Sequence, residues 1–479
     1  MQKPILHNTP LCVDLDGTLL KTDTIYELAF RVIKQAPWIV FSLLIELLKG
    51  KQRLKKYLSE RCALDPALLP YNPNFLAFLR EQHQQGRPLH LVTGCNEKTA
   101  NEIAAYLGLF TSVIASDENI NLTGNKKAQR LVLEFGAKGF DYAGNDSVDI
   151  PVWEQCREPL LVNCGPLVKK SIMQQVTFSN VFDEQSLTVK PYIKAIRLHQ
   201  WAKNSLLIIS ALTAHVLLDA QIFFSLTLAF FAFGCCASFS YIINDLLDLD
   251  ADRQHHNKKY RPFAAGTVSI VAGMGLAAML LVLALLLAMH LNYRFGVLLV
   301  LYFITTNLYS FKLKAIPILD VAVLAGLYTL RVIAGSIAID LEPSFWLIAF
   351  SAFLFFSLAI VKRLSELLYL VNSHDKPVKA RGYVSEDIST LQSLGGASAI
   401  AAVLVLALYI NSDDVRILYN SPRHLWLLCP VILVWLGRVW LITGRGKMHD
   451  DPVVFALKDR VSWLILAAGI CVLVSAKFV

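Results

Sequence analysis

Two short runs carry carboxylates at spacings that matter for chemistry: Asp14-Leu15-Asp16-Gly17-Thr18, and Asn244-Asp245-Leu246-Leu247-Asp248-Leu249-Asp250-Ala251-Asp252-Arg253. The first follows the apolar run Leu11 to Val13, which reads as a buried strand ending in a tight turn. A carboxylate fixed there can attack an electrophilic centre while its neighbour moves a proton. In the second run, a continuing helix puts Asp245, Asp248 and Asp252 at i, i+3 and i+7, on one face. Like charges on that face repel, and carboxylates at a helix C-terminus oppose the helix dipole. A bound cation removes both costs. Several carboxylates facing a diphosphate suit Mg²⁺, which takes oxygen ligands and keeps some water. The bland alternative is a solvated acidic loop. Asp250 points elsewhere on such a helix. Lys258 and Lys259 follow, either as phosphate ligands or as interface anchors, and Arg261, before Pro262, reads as a phosphate ligand.

These residues sit in two unlike halves. The chain has 479 residues, 55% of them hydrophobic, and a mean hydropathy of +0.49, too apolar for an ordinary soluble enzyme. In the first half, strand candidates at Leu11 to Val13, Leu89 to Val92, Val113 to Ala115 and Phe140 to Ala143 alternate with helical stretches, which implies a parallel α/β sheet. This domain is expected over 1–155, with a linker over 156–190 and a membrane domain over 191–479. Ala36 to Leu48 is strongly apolar but too short to span a bilayer. It is expected to form the core of a helical insert; the alternative is an interfacial helix.

Nine apolar stretches of membrane-spanning length follow, at 204–219, 222–245, 268–291, 294–311, 318–339, 344–368, 391–411, 424–443 and 460–478. The cations sort to alternate loops: Arg253, Lys258, Lys259 and Arg261, then Lys312 and Lys314, then Lys362, Arg363, Lys376, Lys379 and Arg381, then Arg445, Lys447 and Lys458. This pattern implies a multi-pass protein of the cell (inner) membrane, with its N-terminal domain and active-site loops in the cytosol and its C-terminus outside. Membrane topology accounts for the net charge of +8, and no aromatic-plus-basic stripe points to nucleic acid. The nine cysteines form no CxxC pair and read as small buried residues. Met1 to Pro10 is short and polar, unlike a cleavable signal peptide.

The pattern NDxxDxxxD, followed by a basic stretch ending in Arg261-Pro262, resembles the first Asp-rich motif of the UbiA prenyltransferase superfamily. That resemblance implies an all-α, nine-helix transmembrane bundle using Mg²⁺ and a diphosphate leaving group, with Asn244, Asp245, Asp248 and Asp252 at its metal and substrate. Aromatic prenyltransferases of the superfamily carry a second DxxxD after the sixth span. Here the matching loop reads Lys362-Arg363-Leu364-Ser365-Glu366, with Asp375 alone and Lys379 where a partner carboxylate would be. This KRxxE pattern is similar to the decaprenyl-phosphate phosphoribosyltransferase branch. His199-Gln200-Trp201-Ala202-Lys203-Asn204, Tyr309-Ser310, Lys312, Lys314 and Arg331 agree with it. The branch implies transfer of phosphoribose from phosphoribosyl diphosphate to a polyprenyl phosphate. Lys203, Asn204, Arg261, Lys312, Lys362, Arg363 and Glu366 are then substrate-binding, and Glu366 holds a second metal or a ribose hydroxyl. Lys362 and Arg363 also read as interface anchors.

Asp14-Leu15-Asp16-Gly17-Thr18 resembles motif I of the haloacid dehalogenase (HAD) phosphohydrolases, which have a Rossmann-like α/β fold. Thr93 matches the phosphate-binding hydroxyl, Lys127 (or Lys126) the phosphate-binding cation, and Gly144-Asn145-Asp146-Ser147-Val148-Asp149 the metal-binding end. The helical insert between Asp16 and Thr93 looks like the all-helical cap of phosphoserine-phosphatase-like members. Asp14 is then nucleophile, Asp16 acid/base, and Asp14, Asp16, Asn145, Asp146 and Asp149 the candidate Mg²⁺ ligands. The family usually has Gly-Asp where this chain has Gly144-Asn145, which weakens the metal site unless Asp146 substitutes. Two other readings compete for the whole chain. One is an aromatic polyprenyltransferase joining a prenyl diphosphate to a hydroxybenzoate-like acceptor. The other is a membrane scaffold or transporter with a vestigial phosphatase.

Overall fold

The central strand decides the architecture of the N-terminal half. In a computed structural model, which describes residues 9–116, 121–182, 188–372, 382–412, 415, 418–448 and 451–478, Leu11, Cys12 and Val13 are wholly buried as strand β1 (Leu11–Val13). This strand pairs in parallel with β2 (Leu89–Asn96) on one side and with β4 (Asp141–Gly144) on the other, Leu11 lying beside Leu89 and beside Asp141. β3 (Ser112–Ser116) extends the sheet beyond β2. β5 (Pro159–Val162) and β6 (Asn180–Phe182), both within the segment expected as linker, extend it beyond β4 in the order β3-β2-β1-β4-β5-β6. A parallel sheet is covered on both faces. Accordingly Leu11 and Val13 join one apolar cluster with Leu28, Phe75 and Leu79, and Cys12 joins another with Leu131, Tyr142 and Trp153. The chain reverses its order at β1, the crevice where open α/β sheets bind ligands.

Between β1 and β2 the chain forms α1 (Thr24–Gln35), α2 (Ile39–Leu48), α3 (Lys51–Arg61) and α4 (Pro73–Gln84). α1 is started by Asp23, whose side chain accepts from the Ile25 amide, and it buries Leu28, Phe30 and Val32. α2 is not the core of this insert: it buries no residue. Ile39 and Leu43 rest against the cluster, while buried leucines of the insert come from its other helices, Leu28 from α1, Leu58 from α3 and Leu79 from α4. α5 (Glu97–Leu107) buries Ala100 and Ile103 in the first cluster, and α6 (Asn125–Phe135) buries Ala128 and Leu131 in the second.

The chain divides into two units, one of residues 1–196 with 241–277 and one of 197–240 with 278–479. Among the described residues, eight helices are long and apolar enough to cross a membrane: Ala220–Leu247, Ile270–Met289, Tyr293–Phe311, Leu319–Ala338, Phe345–Tyr369, Ser385–Ile410, Pro422–Gly444 and Arg460–Phe478. The protein is an integral membrane protein, and the count differs from the nine expected. The stretch 204–219 folds instead as a 3₁₀ segment, Leu198–Ile208, and a short helix, Ile209–Thr213. Its polar groups draw it onto neighbouring helices. The Asn204 amide donates to the Phe230 carbonyl, and Ser210 donates to the Val332 carbonyl. It approaches Leu319–Ala338 so closely that a Cβ on Gly335 would lie 2.0 Å from the Leu207 carbonyl oxygen.

Candidate functional site

Asp14 follows β1, where its amide donates to the Ala143 carbonyl at 3.0 Å. Gly17 then takes φ +77°, which turns the chain back. The Asp14 carboxylate accepts from Lys127 Nζ at 2.8 Å, brought there by α6. Lys127 also donates to the Tyr142 hydroxyl at 2.9 Å, and that hydroxyl donates to Asp149 Oδ1 at 2.8 Å. Burial pushes the Asp14 carboxyl up to about 6, although Lys127 opposes this. Burial, with Asp23 nearby, holds Asp16 well above the usual carboxylate range. Its two oxygens accept from the Thr24 amide at 2.8 Å and the Thr24 hydroxyl at 3.2 Å.

Asp14, Asp16, Lys127, Asn145, Asp146 and Asp149 line one cavity of about 490 Å³. Lys55 of α3 and Ser269, Ile270 and Val271 line it too. Thr93 is buried and accepts from the Cys95 amide at 3.0 Å, and it is Gly94 that reaches the cavity. Asn145 accepts from the Thr18 hydroxyl at 3.2 Å. Asp149 holds its own turn, accepting from the amides of Asn145 at 3.1 Å and Asp146 at 3.4 Å. Asp146 caps the next turn through the Ser147 amide at 2.6 Å. Tyr142 was missed by sequence reasoning. Its signal was a phenol at the end of a buried strand, where the hydroxyl must find a partner.

Among the described residues, no three His, Cys, Asp or Glu side chains form a metal cage. Mg²⁺ does not require one, since it binds through one or two carboxylates, water and substrate phosphate. Asp14, with Asn145 in the same cavity, offers the hard oxygen donors that fit it.

The second acidic run lies where the helix Ala220–Leu247 breaks at Asp248 (φ −102°, ψ 17°) before a short helix, Leu249–Gln254. The hydrogen bonding nevertheless carries on. The Asp248 amide donates to the carbonyl of half-buried Asn244 at 3.0 Å, and the Asp252 amide to that of Asp248 at 2.8 Å. Asp245 and Asp252, both buried, converge on Arg261 Nη1 at 3.0 and 2.7 Å. Burial raises the Asp252 carboxyl and Arg261 opposes it. Asp248 instead accepts from Lys34 at 2.7 Å, and Asp250 from Arg31 at 2.6 Å, both donors on α1. Arg261, expected on phosphate, thus bridges two of the three aspartates. Two adjacent carboxylates again suit Mg²⁺ with substrate oxygens completing its shell.

In the second unit, Lys203 and Lys362 both donate to Asp451 Oδ2, each at 3.0 Å, and the Tyr328 hydroxyl donates to the same carboxylate at 3.2 Å. Burial alone would raise the Asp451 carboxyl, but Lys362 and Lys203 outweigh it and hold it well below the usual range. Arg363 is buried and donates to Asp320, to Glu366 at 2.6 Å and to the Tyr309 hydroxyl at 2.5 Å. Asp320 also accepts from the Tyr383 hydroxyl at 2.6 Å. Asn204 accepts from Arg331 at 3.2 Å, and Lys312 is exposed at the end of Tyr293–Phe311. Asp320 and Asp451 were missed. Asp320 had a signal, an acid in the first turn of an apolar helix. Asp375, Lys376, Lys379 and Arg381 lie outside the described residues.

The model of the UbiA prenyltransferase family matches residues 205–458. The chain belongs to the UbiA prenyltransferase family. A haloacid dehalogenase-like hydrolase model matches residues 11–148, so this UbiA-family protein carries a HAD-like domain in front. An uncharacterized protein, y4nM, of Sinorhizobium fredii is 34% identical over 95% of this chain and 89% of its own length. The decaprenyl-phosphate phosphoribosyltransferase of Mycolicibacterium smegmatis is 30% identical over 59% of this chain and 91% of its own. Among solved structures, a UbiA homolog from Archaeoglobus fulgidus bound to GPP and Mg²⁺ aligns with TM-score 0.45 and 20% identity, over 59% of this chain and 99% of that one. UbiA and HAD families are Mg²⁺-dependent in general.

Proposed function

We propose that this UbiA-family protein transfers phosphoribose from phosphoribosyl diphosphate to a polyprenyl phosphate, and that its HAD-like domain then removes the 5-phosphate from the product. The observation that carries the first step is the convergence of buried Asp245 and Asp252 on one cationic group. Such a pair is made for a counter-ion, and Mg²⁺ bound there would offset the charge on a departing diphosphate. Asn244 and Arg261 border the pair, and Arg261 would move from the carboxylates to phosphate oxygens. The bond from C1 of ribose to the diphosphate breaks, and a phosphate oxygen of the lipid bonds to C1. Within the second unit, Lys203 and Lys362 converge on one carboxylate, and two cations so placed suit a phosphate. The relatedness to a decaprenyl-phosphate phosphoribosyltransferase supports this choice of donor and acceptor.

In the second step an oxygen of Asp14 bonds to phosphorus as the bond to the sugar's O5 breaks. The raised Asp16 carboxyl carries the proton that O5 takes up. Lys127 binds the phosphoryl oxygens. Water then cleaves the aspartyl-phosphate, with Asp16 accepting its proton and free phosphate leaving. Both sites face the cytosol of the cell membrane in this reading, and the C-terminus lies outside. An outside C-terminus needs a ninth crossing. The 3₁₀ segment Leu198–Ile208 rises ~22 Å at ~2.0 Å per residue. Ile209–Thr213 adds ~7.5 Å at ~1.5 Å per residue, for a total near the ~30 Å hydrocarbon thickness.

The test supplies reconstituted protein with labelled phosphoribosyl diphosphate and polyprenyl phosphate, and separately with prenyl diphosphate and a hydroxybenzoate. Lipid labelling in the first mixture alone is expected, and labelling in the second alone overturns the donor. Asp14→Asn is expected to accumulate the phosphorylated lipid. Identical products from wild type and variant would remove the second step.

A further inference from the structure

The helix α2 (Ile39-Val-Phe-Ser-Leu-Leu-Ile-Glu-Leu-Leu48) is apolar almost all round, and apart from Ile39 and Leu43, which rest against the core cluster, its apolar side chains are exposed. Trp38 is 74% exposed, Phe41 73% and Leu48 88%. Its one charge, Glu46, pairs with Lys49 at 2.7 Å. A contiguous apolar surface of this kind marks a contact site.

We infer that α2 lies in the membrane interface, and that the basic groove beside it takes anionic phospholipid headgroups. Ten residues are too few to span a bilayer but suit a helix lying in its surface. Two observations name the bilayer as the occupant. First, the residues just after α2 turn sharply basic. Lys49, Lys51, Arg53 and Lys56, with Lys98 and Lys126, line a groove of about 680 Å³ in which, among the described residues, Glu60 is the one acidic lining residue. An apolar helix edged by cations is the pattern that anionic lipid attracts. Second, Lys55 of α3 lines both this groove and the cavity of Asp14, and Ile270 and Val271 line that cavity too. Ile270 is the first residue of a membrane-length helix, so the same compact unit holds a point fixed at the bilayer. A second copy of the chain fits poorly, because pairing α2 with its twin would bring two basic rims together.

The inference does not depend on the proposed reaction. Its test uses the full chain in nanodiscs of phosphatidylcholine with phosphatidylglycerol, carrying p-benzoylphenylalanine at position 41, at 48, or at the exposed control position 133. Irradiation should give phospholipid adducts at 41 and 48 and none at 133, read by mass spectrometry. Adducts to a second copy, or adducts at none of the three, would overturn the assignment. The yield at 41 should fall several-fold in phosphatidylcholine alone and in the charge-reversed K51E/R53E/K56E variant. An unchanged yield would overturn the headgroup site, as would loss of that dependence when excess inorganic phosphate is added. Because α2 buries nothing, F41S/L44S/L48S should melt with wild type, so loss of lipid contact is read on a folded protein.

Discussion

Arg253 and Glu27 form a two-bonded ion pair, with Nη1 and Nη2 donating to the two carboxylate oxygens at 3.0 and 2.6 Å. Both side chains are at least nine-tenths buried. The pair ties the acidic run that begins at Asp245 to helix α1 of the HAD-like domain. Removing one partner leaves a buried charge. Glu27→Ala is expected to destabilise the protein by about 3 kcal/mol, in the range for breaking a buried pair. It should also raise the Mg²⁺ concentration needed for half-maximal transfer. A thermal melt beside an Mg²⁺ titration checks both, and an unchanged Mg²⁺ requirement would confine the pair to stability.

Arg261 stands between Asp245 and Asp252 and screens two carboxylates from each other. Arg261→Ala is expected to keep Mg²⁺ binding, or tighten it, while raising KM for the diphosphate donor at least ~10-fold, as loss of a charged hydrogen bond to phosphate does. Calorimetry with Mg²⁺ alone, beside donor kinetics, separates the two effects.

Lys203, Lys362 and Asp451 are best probed together, since removing Asp451 alone leaves two lysines facing each other without their shared carboxylate. The neutral K203M/K362M/D451N variant should stay folded yet bind the donor poorly, seen as a rise in KM. An unchanged KM would mark the cluster as a brace between helices.

Tyr142 joins Lys127 to Asp149 through one buried hydroxyl. Tyr142→Phe leaves both partners a hydrogen bond short, a loss of about 1–3 kcal/mol. Hydrolysis of p-nitrophenyl phosphate should slow, because Lys127 loses one of the contacts that aim it at Asp14.

Gly335 accepts no side chain, because the Leu207 carbonyl occupies the space. Gly335→Ala is expected to cost about 3 kcal/mol or more through overpacking against backbone. Thermal inactivation in detergent measures it, with Gly326→Ala, which meets nothing within 4 Å, as the control.

Local pattern made much of this legible. The span expected over 460–478 is Arg460–Phe478, and the strand expected at Leu89 extends to Asn96. Asp14 and Lys127 meet as the motif order implied. What stayed hidden was the choice of counter-ion. Helical spacing puts Asp245, Asp248 and Asp252 on one face, but it cannot say that the helix breaks at Asp248, or that Lys34, 214 positions earlier, is the partner of Asp248. The apolar run at Ala36 to Leu48 shows the same gap. Hydropathy measures the wish to leave water, not whether protein or lipid grants it.

The wall that Ser269, Ile270 and Val271 contribute to the Asp14 cavity carries a practical lesson for anyone dissecting this protein. A fragment ending at residue 196 would contain every hydrolase motif, yet it would lack that wall and leave Glu27 without Arg253. One cut at residue 196 therefore parts the hydrolase motifs from a piece of their own cavity wall, and an assay of the shorter chain reads an altered site.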